Sequence, residues 1–205
     1  MTQAPISSAG LDEETARAEL YGLLAALYYA PPASELLAQL RVAVTEAPAP
    51  GSFLEEPWRA LVGVARACDD GAIAAEYTAL FGGVGKPEVY LFGSFYLSGF
   101  LNEKPLAALR TDIAALGLAR DEAMSETEDH VAYLCEVMRY LIAGDDVAVA
   151  NLTHQQAFFA AHLQPWFTRM CDAVQAHPKA RFYAAVADLT RAFVAVEAQG
   201  FDMLT

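Results

Sequence analysis

A chain of 205 residues that is 55% hydrophobic and 19% charged is long enough to bury a sizeable core and too apolar to remain disordered. Its net charge of −13 excludes sequence-independent nucleic-acid binding, which needs clustered Lys and Arg to displace counterions, and suits a basic partner such as a positively charged peptide. Three widely spaced cysteines, Cys68, Cys135 and Cys171, with no Cys-x-x-Cys pair, exclude a complete internal disulfide set and a zinc ribbon.

In chain order, residues 1–10 carry no charged stretch followed by an apolar one, so they are expected to form a flexible N-terminus and not a signal peptide. Leu20, Leu23, Leu24, Leu27 and Tyr28 follow the i, i+3, i+4, i+7 rule, Asp12 to Glu14 suit the start of that helix, and Pro31-Pro32 ends it. A second helix is expected over 34–46, before the break at Pro48-Ala49-Pro50-Gly51, and shorter ones over 58–68 and 72–81, separated by Asp69-Asp70-Gly71. Gly82, Gly83, Gly85 and Pro87 then open a segment whose aromatic run, Tyr90 to Tyr96, lacks helical spacing, so 82–104 reads as a hinge. Helices resume over 105–116, 125–143, 147–163, 165–176 and 179–199. Neither strand alternation nor a repeat is visible, and the uncharged runs at 20–34 and 89–102 are too short or too broken to span a bilayer. The expectation is an all-α protein with one compact domain over 11–205, eight to ten helices, cytoplasmic and without stable membrane insertion.

The segment Ser125-Glu126-Thr127-Glu128-Asp129-His130 fits a capping box, Ser125 bonding the amide of Glu128 and Glu128 reaching back. On that reading its acids serve the helix dipole. At about 100° per residue, Val131, Leu134, Cys135, Met138 and Ile142 form a core stripe, with Glu126, Asp129, His130 and Tyr133 roughly 140° away. Two carboxylates, an imidazole and a phenol on a face off the core can instead bind an arginine or a backbone amide.

Catalysis and metal binding find little support. Glu126 and His130 are four apart with no second such motif, and His154 and His162 are eight apart. His177, before Pro178, suits a helix end. Gly82 to Pro87 is not a phosphate loop, because Leu80 and Pro87 occupy positions that require Gly and Ser or Thr. A non-enzymatic protein with no cofactor is expected. The aromatics Phe81, Tyr90, Phe92, Phe95, Tyr96 and Phe100 either plug the core or line a groove of rigid side chains suited to a peptide.

These residues resemble the TorD/DmsD family of redox-enzyme maturation chaperones, related more distantly to the NarJ group. Glu76-Tyr77-Thr78-Ala79-Leu80-Phe81 is similar to the family's segment ending in Leu-Phe before a glycine-containing loop. Pro87 followed by Gly93-Ser94-Phe95-Tyr96 resembles its Pro…Gly-Ser-x-Tyr or Trp stretch, and Glu126 to His130 its Glu-Pro-x-Asp-His signature, with Thr127 where proline is usual. Leu134 to Met138 and the block from Phe158 to Trp166 continue the likeness, which covers about 20–203. The resemblance implies a chaperone that binds the twin-arginine signal peptide, and the apo-form, of a molybdopterin enzyme precursor until cofactor insertion. The run 82–106 is similar to members that accompany a formate dehydrogenase. The binding residues implied are Leu80, Phe81, Phe92, Gly93, Ser94, Tyr96, Glu126, Asp129 and His130, with the protein a monomer or a dimer. The alternative is a general helical adaptor that binds a folded partner without recognising a signal peptide.

Overall fold

Ala- and Leu-rich stretches with apolar residues every three to four positions can hide their side chains only against one another. In the computed structural model, which describes residues 8–45, 53–82, 85–121 and 124–203, they do so as ten α-helices. These are α1 (Ser8–Tyr29), α2 (Ser34–Val42), α3 (Glu55–Ala67), α4 (Asp70–Phe81), α5 (Gly93–Ser98), α6 (Lys104–Ala115), α7 (Val131–Ala143), α8 (Leu152–His162), α9 (Phe167–Ala176) and α10 (Phe182–Asp202). The fold is all-α, and the extended pairing among the described residues is a single bridge between Phe92 and His130. No helix among the described residues is long and apolar enough to cross a membrane.

Local chemistry accounts for several helix ends. Pro31-Pro32 follows the end of α1. Asp69 caps α4 by accepting the Ala72 amide at 2.8 Å, and Asn151 caps α8 through His154 at 3.1 Å. Pro105 sits in the first turn of α6, where a missing amide is harmless. Several boundaries differ from expectation, among them the start of α8, which is Leu152 where 147 was expected. α2 ends at Val42, α5 is a short helix inside the supposed non-helical aromatic run, and α7 begins at Val131, six residues after Ser125. The stretch before Ser8, the break at 48–51 and Gly83-Val84 of the hinge lie outside the described residues.

One hydrophobic core draws on every helix. α1 lies along α7, α10 packs on α9 and α3, α2 on α3, and α8 on α7. Polar anchors join the two long helices across the core. Arg17 forks onto Glu197 at 2.6 and 2.9 Å, Tyr21 donates to Glu197 at 3.0 Å, and Tyr28 meets Thr190 at 3.1 Å. A buried carboxylate is tolerable when paired and hydrogen-bonded in this way.

Helix α4 closes the ends of both neighbours. Glu76 accepts the amides of Arg181, Phe182 and Tyr183 at 2.8, 3.0 and 2.8 Å, satisfying the open N-terminus of α10, whose preceding residue offers no capping side chain. Tyr77 donates to the carbonyls of Tyr28 and Tyr29 at 3.1 and 2.9 Å, at the C-terminus of α1.

Candidate functional site

The two segments singled out in the sequence, 90–96 and 126–130, are hydrogen-bonded to each other. Gly93 donates its amide to the Asp129 carbonyl at 2.9 Å, and Val131 donates to the Leu91 carbonyl at 2.8 Å. Asp129 uses both carboxylate oxygens. Oδ2 accepts the Ser94 amide at 2.9 Å, capping α5 from outside, and Oδ1 accepts the Thr127 hydroxyl at 2.6 Å. Thr127 thus has a use that proline at that position could not serve. Asp129 is 3% exposed and fully engaged.

His130 is the N-cap of α7. Its Nδ1 accepts the Ala132 amide at 3.2 Å, which leaves the proton on Nε2. The ring sits edge-on to Phe92 at 5.0 Å and Tyr29 at 6.5 Å, and only 3% of the residue is exposed. Burial lowers its pKa to about 4, against a smaller opposing pull from Asp129, so the imidazole is neutral at pH 7.

This geometry corrects two expectations. The capping box does not form, because residues 125–130 precede α7, and Ser125 instead donates to Glu126 at 3.3 Å. Nor do Glu126, Asp129, His130 and Tyr133 share a face off the core: Asp129, His130 and Tyr133 are all buried. A helical wheel has no meaning upstream of Val131. Downstream, α7 packs on α1 and α8 and leaves only the stripe Glu136, Arg139, Tyr140 and Ala143 exposed, so Tyr133 faces inward.

The remaining acids differ in kind. Glu128 accepts from Arg110 at 2.9 and 2.8 Å, with Arg120 3.8 Å away. Partial burial opposes ionisation of Glu128, but the Arg110 hydrogen bonds and the charges of both arginines outweigh it and hold the carboxyl below its usual range. Glu126 is half-buried; Arg120 donates to its backbone carbonyl at 3.2 Å, but its carboxylate has no ion-pair partner among the described residues. It is close enough to Tyr77 to add to the effect of burial, which together push that phenol up to about 12.

The other expected residues fall in three places. Leu80 is buried, its carbonyl accepting the Val89 amide at 2.9 Å. Phe81 is half-buried against Tyr77 at 5.2 Å and Tyr183 at 5.0 Å. Tyr96 lies on the Trp166 side, stacked at 5.6 Å and donating to the Tyr90 carbonyl at 2.8 Å. Ser94 is buried, its hydroxyl accepting the Asn102 amide at 3.3 Å. Gly93 is required by space: a Cβ there would lie 3.0 Å from Trp166 Nε1, which is itself fixed to the His162 carbonyl at 2.6 Å. Phe92, Gly93, Ser94, Asp129 and His130 therefore form one interlock. Leu80 and Phe81 belong to the aromatic cluster beside it, and Tyr96 to a third contact.

Sequence reasoning assigned no role to Tyr29 or Met124. With Ala25, Ala26, Ala132 and Glu136 they line a depression of about 280 Å³ beside His130. Its surface is mostly apolar, with Glu136 at the edge and Glu126 two residues from Met124. Such an arrangement can hold an aliphatic stem while a carboxylate meets the positive group at its end.

The model of the family described as nitrate reductase delta subunit matches residues 48–172, which span all nine expected binding residues. Among curated proteins, the chain is 27% identical over 133 residues to Chaperone protein TorD of Aliivibrio fischeri, covering 61% of this chain and 62% of that one. It is 26% identical over 129 residues to the protein of the same name from Vibrio parahaemolyticus, covering 59% and 60%. To that of Vibrio cholerae it is 25% identical over 139 residues, covering 64% and 63%. The chain thus spans about three fifths of the length of the curated relatives it matches.

Proposed function

The chain belongs to the nitrate reductase delta subunit family, and from that membership we propose that it is a non-catalytic maturation chaperone for a molybdopterin redox enzyme. It binds the apo-enzyme in the cytoplasm through a twin-arginine signal peptide and holds the precursor until its cofactor is inserted. The name shared by the relatives, Chaperone protein TorD, supports the chaperone role. The resemblance of 82–106 favours a formate dehydrogenase as client.

The peptide lies on the face built over the 91–94 and 127–131 interlock. Leu80, Gly93, Ser94, Asp129 and His130 shape that face from beneath, and the half-buried Phe81, Phe92, Tyr96 and Glu126 meet the peptide. The observation that carries this reading is Glu126, a half-buried carboxylate with no ion-pair partner among the described residues, two positions from Met124, which lines an apolar depression with Tyr29. A guanidinium can take both oxygens of Glu126 while its stem rests on the apolar floor.

Calorimetric titration with a twin-arginine signal peptide tests this. Glu126→Gln weakens binding about tenfold or more, the equivalent of at least about 1.4 kcal/mol, as expected for a lost charge-assisted bond. Replacing both peptide arginines by lysine weakens it similarly. Unchanged affinity in Glu126→Gln removes the peptide from this face. If no arginine peptide binds while a folded enzyme co-purifies, the protein is the general adaptor instead.

A further inference from the structure

A larger apolar groove opens on another side of the molecule, between α1, α2 and α3, with α10 at its floor. It measures about 640 Å³, within the range of roughly 300–1,000 Å³ usual for built binding sites. Leu20, Leu23, Leu36, Leu54, Trp58 and Leu189 line it, and the one charged side chain among its lining residues is Glu19. Ala16, Glu19, Leu20 and Leu23 form an i, i+3, i+4, i+7 stripe of α1. By helical periodicity that stripe lies roughly 120° around α1 from Ala25, Ala26 and Tyr29, so the groove is separate from the depression beside His130. Val42, Val44 and Phe53, next in sequence to the lining residues Ala43 and Leu54, are also exposed.

The charges around this groove are one-sided. Each arginine of α2 and α3 is committed internally. Arg41 bonds the carbonyls of Ala65 and Cys68 and pairs with Asp70, Arg66 bonds those of Arg41 and Ala43, and Arg59 pairs with Glu55 and Glu56. Glu19 on α1 and Glu35 on α2 are exposed and have no hydrogen-bond or ion-pair partner among the described residues. The groove therefore presents an apolar trough beside unpaired negative charge. A second copy of this chain, at net charge −13, would bring like charges together there.

We propose that this groove docks an amphipathic helix of a client polypeptide, its apolar stripe seated on Leu20, Leu23, Leu36 and Trp58 and its basic residues beside Glu19 and Glu35. The i, i+3, i+4, i+7 spacing of anchors on such a helix matches a trough between helices. The proposal extends the chaperone reading to a second contact with the client, and its test uses neither the twin-arginine peptide nor Glu126.

Of the two tryptophans, Trp166 is buried and Trp58 lines the groove, so Trp58 emission reports occupancy. The probe is a Leu/Lys amphipathic helical peptide of about 18 residues, long enough to hold its helix. Titration shifts Trp58 emission to the blue, and the same Leu stripe carried on Glu produces no shift. The pair Glu19→Lys with Glu35→Lys weakens binding at least tenfold. Glu88→Lys with Asp145→Lys, the same charge change at exposed sites elsewhere, leaves it within twofold. Leu23→Ser weakens binding too; if that variant fails to fold by circular dichroism, the two surface pairs decide alone. An unshifted Trp58, or equal losses in both charge pairs, overturns the proposal. So does a blue shift that follows protein concentration without peptide, which would assign the groove to a second copy.

Discussion

Asp129 holds Ser94: its Oδ2 accepts the Ser94 amide at 2.9 Å, while its backbone carbonyl takes the neighbouring amide of Gly93. Two motifs 35 residues apart thus form one structural unit. Asp129→Ala strips the cap from α5 and leaves buried groups unpaired, so denaturant unfolding should show a loss of about 1–3 kcal/mol. Asp129→Asn, whose amide oxygen can still take Ser94 and whose NH2 can meet the Thr127 hydroxyl, should lose less. Reduced peptide binding by an Asp129 variant therefore counts in favour of the site only after its stability has been measured.

His130 predicts a pH dependence. Its folded-state pKa of about 4 lies below the unfolded value of about 6.5, so between these values the unfolded chain binds a proton that the folded one refuses. Its contribution is complete above about pH 6.5 and is lost on acidification towards pH 4, up to about 3 kcal/mol. Urea unfolding of the wild type and of His130→Asn, which keeps a capping side chain, should show a difference that narrows from pH 7.5 to pH 4.5. A ring resonance titrating near 6.5 would refute the burial argument.

Glu76 caps α10 by accepting three amides, more than a single-bond cap satisfies. Glu76→Ala should lower stability by about 1–3 kcal/mol, and Glu76→Gln by less, in equilibrium unfolding. An effect within about 0.5 kcal/mol, typical of surface substitutions, would mean that water replaces the carboxylate.

Gly93→Ala should destabilise by about 1–3 kcal/mol, because the new methyl meets an indole held at both its ring face and its N–H. The perturbation should appear in the near-ultraviolet signal of Trp166 as well as in the melting temperature.

Helix content was legible in the sequence because Leu, Ala and aromatic spacing repeats every three to four residues, and caps such as Asp69 and breakers such as Pro31-Pro32 act locally. The start of α7 was not. Ser125 to Glu128 has the composition of a capping box, but the strand-like bridge with Leu91 and Phe92 occupies the chain up to His130 and delays the helix. The same bridge buries Asp129 and His130, which a one-dimensional pattern places on a polar stripe. Glu76 stood in a recognised motif, yet its work is done on amides more than a hundred residues away, and no window along the chain contains both. The groove beside Glu19 was hidden for another reason. The second half of α1, residues 20–29, is apolar all round, so periodicity could not tell which of its sides α7 and α10 leave uncovered.

The anchors between α1 and α10 also bear on synthesis. Arg17 and Glu197 are 180 positions apart, and Tyr28 and Thr190 are 162. At about 5–20 residues per second, a ribosome needs on the order of ten to forty seconds to deliver Glu197 after Arg17 has been made. Throughout that interval α1 is a nascent segment without its final neighbour, exposing Tyr21 and Tyr28. The chain must itself pass through a long unfinished stage, its first helix waiting for its tenth.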